Sequence, residues 1–199
     1  MEPGLRLKAS RIWLWGVNMS IWKFLGLQGK GPSGKASGDT GEDAETIRKI
    51  TRALEELPPD QSRFLAAFAF ILSRVAHADL DISEDEIREM ERIVKEIGSV
   101  PEAQAGLVVQ IAKTQSLLFG GTENFLVTRE FNKIAAREDK LKLLECLFAV
   151  SSSDEGISAA EDTEIRQISR ELLLEHSDFI AVRSGYRDHL NVLKKRSHV

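Results

Sequence analysis

From Glu45 onward, apolar residues recur at helical spacing. Ile47, Ile50, Leu54 and Leu57 form one stripe, and Pro58-Pro59 stops it. Phe64, Ala67, Phe68, Ile71, Leu72 and Val75 make a broad apolar face. Ser83 opens the next helix, which carries Ile87, Met90, Ile93, Val94 and Ile97 and closes at Gly98. Pro101 suits the first turn of another, running through Leu107, Ile111, Leu117 and Leu118 to the break at Gly120-Gly121. Further helices are predicted at about 123–136, 139–152, 158–174 and 178–193. No segment requires a strand. About seven to eight short helices joined by short loops predict an all-α protein, a compact helical bundle.

The pattern repeats. Segments 64–95 and 139–170 align without gaps, with identities at Leu72/Leu147, Val75/Val150, Asp79/Asp154, Ile82/Ile157, Ser83/Ser158, Glu86/Glu161, Glu89/Glu164 and Ile93/Ile168. Apolar character also matches at Phe68/Leu143, Ile71/Cys146 and Met90/Ile165. Each unit is an apolar helix, a short turn beginning with Asp, and a second helix. This internal helix-turn-helix duplication predicts two units packed about a pseudo-twofold axis, each burying a face that neither could bury alone.

The repeated turn reads Asp-x-x-Ile-Ser-x-x-Glu, and two readings of it stand side by side. In the first, Ser-x-x-Glu is a capping box, Asp79 and Asp154 bond nearby turn amides, and Ile82 and Ile157 act as hydrophobic staples. In the second, the carboxylates hold a cation. Glu86, Met90, Ile93 and Ile97 fall on one line of their helix, as do Glu161, Ile165, Ile168 and Leu172. A carboxylate thus heads an apolar row in both units, where it must be paired, hydrogen-bonded or bound to a cation. Convergence of Asp79, Glu86, Asp154 and Glu161 about a twofold would make an oxygen-only site suited to Ca²⁺, Mg²⁺ or Mn²⁺. His77 could add a nitrogen, although an exposed helix-end histidine is its plainer role. An EF-hand is excluded: counting from Asp79, Glu84 stands where the loop needs Gly and Met90 where it needs the bidentate Glu, and counting from Asp154 puts Ala159 and Ile165 there.

Charge divides the chain. Pro3 to Gly38 holds no acid but carries Arg6, Lys8, Arg11, Lys23, Lys30 and Lys35, together with all 3 tryptophans, Trp13, Trp15 and Trp22. The net charge of the whole is −4, so the remainder is acidic, and no global basic signal for nucleic acid exists. Residues 1–27 form a basic, Trp-containing segment whose apolar run, IWLWGVNMSIW, is too short to span a membrane and fits a signal peptide poorly. Such a segment suits a bilayer surface or a partner protein, or else is a disordered tail. Met19 opens a plausible start of its own, which makes residues 1–18 read as an upstream extension. Residues 28–43 are a flexible Gly/Ser/Pro linker, 44–193 the helical domain and 194–199 a basic tail.

The linker contains Gly29-Lys30-Gly31-Pro32-Ser33-Gly34-Lys35, which fits the spacing of a phosphate-binding loop. Ala36 follows where Ser or Thr must hold magnesium, and no strand precedes it, so no nucleotide is expected. The single Cys146 lies in the apolar run LLECLFAV, which excludes an intrachain disulfide and predicts a buried, inert thiol. No Ser/His/Asp arrangement, zinc spacing or dinucleotide fingerprint is visible, and a non-enzymatic module is expected.

The stretches AHADLDISEDEIREMERI and LFAVSSSDEGISAAEDTEIRQI, with the closing LLLEHSDFIAVR, resemble the TerB family of tellurite-resistance helical domains over about residues 45–190. The chain departs from the family's Asp-Gly pair in both turns, with Asp79-Leu80 in the first and Gly one place late, as Gly156, in the second. The resemblance implies an all-α fold built on a duplication and a bacterial role in tellurite or general stress responses. It further implies a divalent metal held by Asp79, Asp81, Glu86, Asp154 and Glu161, and a cytoplasmic location peripheral to the inner membrane, with a protein partner still to be identified. The competing expectation is a purely structural protein–protein interaction module whose acidic turns serve only as caps.

Overall fold

The computed structural model describes residues 41–76, 84–118, 124–153 and 156–191. Eight α-helices are found among them: α1 Gly41–Glu55, α2 Pro59–Ser73, α3 Glu84–Glu96, α4 Glu102–Leu118, α5 Asn124–Ile134, α6 Arg137–Ser152, α7 Ala159–Glu171 and α8 His176–Gly185. A 3₁₀ turn, Arg187–His189, follows α8. No strand occurs among the described residues, and the one extended contact is an isolated parallel bridge between Ile157 and Leu190.

Local chemistry sets most boundaries. Pro58, with φ −53 and ψ 141, precedes α2, and Pro59 opens it where a missing N–H costs nothing. Pro101 directly precedes α4, and its carbonyl accepts from Gln104 N at 2.8 Å and Ala105 N at 3.1 Å. The helix predicted through 174 stops at Glu171 because Leu173 turns left-handed, with φ 60, while Leu174 N closes back on Ser169 O at 3.1 Å. The helix predicted over 178–193 begins earlier and ends at Gly185. Leu190 is fully buried, and the chain leaves helical geometry to bring it there.

The helix closes at Gly98 as expected, and Gly98 has a further role. It is Ser99 that takes the left-handed conformation, with φ 54. At Gly98 a Cβ would sit 2.5 Å from Val94 O and 3.1 Å from both Cys146 Sγ and the Phe68 ring. Its hydrogen side chain lets three elements meet.

The duplication is structural. Carrying the alignment one residue further places the first and last residues of α3, Glu84 and Glu96, on those of α7, Ala159 and Glu171. Every matched apolar pair among the described residues is buried in both units: Phe68/Leu143, Ile71/Cys146, Leu72/Leu147, Val75/Val150, Met90/Ile165 and Ile93/Ile168. The units interlock, with α2 and α3 both packing on α6. Around them α1 covers α2 and α4, α5 lies against α2 and α7, and α8 closes over α6 and α7. Phe64, Phe68 and Phe131 form an aromatic cluster where α2 meets α5, with Phe64 and Phe131 centroids 5.3 Å apart.

Candidate functional site

The second acidic turn opens α7. Gly156 has φ 95, a conformation that favours glycine, and Ile157 behind it is fully buried. Ser158 is the N-cap: its Oγ accepts from Glu161 N at 3.2 Å, while Ser158 N donates to Glu161 Oε2 at 2.8 Å. Both halves of the capping box expected from Ser-x-x-Glu are therefore present. The staple expected at Ile157 is not made in its usual form, because the fourth position of the helix is Asp162 rather than an apolar residue. Ile157 joins the core instead and pairs with Leu190. Asp162 is itself buried and accepts from Arg183 Nε at 2.6 Å and from a second guanidinium nitrogen at 3.0 Å, which ties α7 to α8.

Of the proposed ligands, Glu86 and Glu161 are described. They occupy the same place in the first turn of α3 and α7, and both are half-buried. Asp79, Asp81 and Asp154 lie outside the described residues, as does His77. Among the described residues no group of three or more His, Cys, Asp or Glu side chains is placed to hold a metal ion.

Between the units lies a polar cluster that sequence reading did not find. Arg74 caps the C-terminus of α2, the first helix of the first unit, and its side chain is 5% exposed. Its Nε donates to Glu164 Oε1 at 2.8 Å, and its terminal nitrogens lie 2.5 and 3.3 Å from the two oxygens of Glu171. Both carboxylates belong to α7 of the second unit. Thr128 Oγ1 on α5 and Gln167 Nε2 on α7 each lie 3.0 Å from a Glu171 oxygen. Asn132 Nδ2 donates to the Glu171 carbonyl at 2.7 Å. Burial alone pushes the Glu171 carboxyl up, but the hydrogen bonds from Arg74, Gln167 and Thr128 prevail and hold it below the ordinary carboxylate range.

The repeat explains where those carboxylates come from. Glu164 and Glu171 align with Glu89 and Glu96 of α3. There the same pair is bridged within one helix by Arg92, at 2.6 Å to each carboxylate, on an exposed face. In the second unit Gln167 stands at the position of Arg92, and the cation arrives from the other unit as Arg74. The one available hint was local: Arg74 is the only charged residue in the apolar run from Phe64 to Val75.

Cys146 is fully buried in α6, with Sγ 3.8 Å from Ile93 O of α3, and burial together with nearby Glu145 pushes its thiol up to about 12. A thiol so placed is a packing group, as expected from its apolar surroundings.

A duplicated pair of helices locked by a buried arginine defines a small all-α module. A model of the family described as Tellurite resistance protein TerB matches residues 64–184, from α2 to α8. The chain belongs to the TerB family. No curated protein and no solved structure was found to match it.

Proposed function

We propose that the protein is a non-enzymatic TerB module that binds a divalent cation of the Ca²⁺, Mg²⁺ or Mn²⁺ class through its twin acidic turns and acts in a tellurite or general stress response. The supporting observation is the equivalence of Glu86 and Glu161, two half-buried carboxylates at the same place on duplicated helices. Asp79, Asp81 and Asp154 of the adjoining turns complete the oxygen set in this reading. A second reading is favoured by the Ser158–Glu161 bonds: the turns are caps alone, and the module works by binding another protein. Thermal melts of the metal-stripped chain separate the two. Under the metal reading, an ion at 100 times its dissociation constant adds about 2.7 kcal/mol, a rise of about 5–10 °C, and the rise disappears in the Glu86→Ala/Glu161→Ala double variant. Under the capping reading no ion raises the midpoint, and each single variant costs about 1 kcal/mol with or without metal.

The basic Trp-containing residues 1–27 would carry this acidic domain to the inner surface of a membrane. Charge polarity supports that tether. No helix among the described residues is long and apolar enough to cross a membrane. Co-sedimentation with anionic liposomes is expected for the whole chain and lost when the chain starts at Asp39. Equal partitioning of the two would remove the tether from the proposal.

A further inference from the structure

We propose that the segment Arg187–Asn191 is a conformational strap that sets the backbone of the second acidic turn, so that the order of the turn follows the placement of this segment. Both polar groups of the Ile157 backbone are taken by this segment: Ile157 N donates to His189 O at 2.8 Å, and Asn191 N donates to Ile157 O at 3.0 Å. Asn191 Nδ2 adds a third bond, to Gly156 O at 3.2 Å. These contacts fall on the glycine whose φ of 95 shapes the turn and on the residue just before the N-cap of α7.

The strap is fastened lightly. The Ile157–Leu190 bridge is isolated, with no ladder beside it to reinforce the pairing. Leu190 is fully buried, but Arg187, Asp188 and His189 are exposed, and α8 has already ended at Gly185. One apolar anchor and three hydrogen bonds join the segment to the turn, while His189 N to Tyr186 O at 3.0 Å and Leu190 N to Arg187 O at 3.2 Å keep it continuous with the end of α8. Elements with few buried contacts open locally without global unfolding. Drawing away residues 190 and 191 would therefore free Gly156–Ser158, and with them the cap that orients Glu161, while the core around α2 stays closed. The inference stands whether or not the turn binds metal.

Hydrogen exchange of the full chain tests it. Asn191→Pro deletes the backbone donor and the side-chain amide together. Leu190 has φ −76 and ψ 108, the extended conformation a residue before proline prefers, so its side chain can remain buried. Amides from Ile157 to Glu161 are expected to exchange about tenfold faster, from the loss of two hydrogen bonds, with α2 amides unchanged. The milder Asn191→Ala, which loses only the bond to Gly156 O, is expected to give a smaller rise, about threefold, in the same segment. The strap is overturned if the turn exchanges at the wild-type rate in both variants. It is overturned equally if α2 loosens in step with the turn, because the segment is then ordinary core.

Discussion

Arg74→Ala lowers stability by about 3–5 kcal/mol, with a melting midpoint on the order of 10 °C below wild type. The loss is large because the deletion leaves Glu171, whose side chain is 12% exposed, without its cation. The pH dependence distinguishes this electrostatic origin from lost packing. In the wild type the folded-state pKa of Glu171 lies below the ordinary 4.5, so its contribution is present above that value and is lost as pH falls through the folded pKa. Without Arg74, burial is the largest influence left and raises the pKa. The carboxyl of the variant is then harder to ionise than that of the wild type, so the deficit widens as pH rises through the folded-state pKa of the wild type. Urea unfolding of both proteins at pH 4 and pH 7 measures this directly. A deficit equal at the two pH values would mean that Arg74 contributes only by filling space.

Gly98→Ala costs about 3 kcal/mol, the upper part of the range for overpacking a well-filled site. Backbone strain is not the reason, since Gly98 does not take the left-handed conformation here. The added methyl would lie 2.5 Å from Val94 O, a backbone atom with little room to move, with Cys146 Sγ and Phe68 closing the other sides. Ser99→Gly is the matched control: it replaces the residue at φ 54 and is expected to be neutral or slightly stabilising. Chemical denaturation of the two variants reads both effects. A Gly98→Ala protein as stable as the wild type would show that α3 and α6 can part at little cost.

The contrast between Gly98 and Ser99 marks how far the sequence could be read. A glycine after an apolar helix predicts a stop, and the stop is there, but the residue that turns the chain is its neighbour. Helix periodicity and the duplicated apolar positions were legible because they are local and regular: Ile71 and Cys146, or Ile93 and Ile168, follow from spacing alone. The Ser158–Glu161 box was legible for the same reason. Arg74 was not, because its partners lie 90 and 97 residues away and no local pattern announces them. Leu190 misled because its spacing from Val182 and Tyr186 suits a continuing helix. Its burial beside Ile157 depends on a contact between distant parts of the chain.

The arginine between the units has a consequence for the history of the fold. Two copies of one segment begin as equals, and either could replace the other. Here position 74 holds Arg while its counterpart is Ala149, and Arg92 answers to Gln167. One half now supplies the cation and the other the anions that receive it, while the first half's own carboxylates are satisfied from within. A division of labour has replaced the original redundancy. Two second halves joined together would have carboxylate pairs and no arginine at position 74 to meet them. The order of the halves is thus built into the side chains as well as into the connection between them.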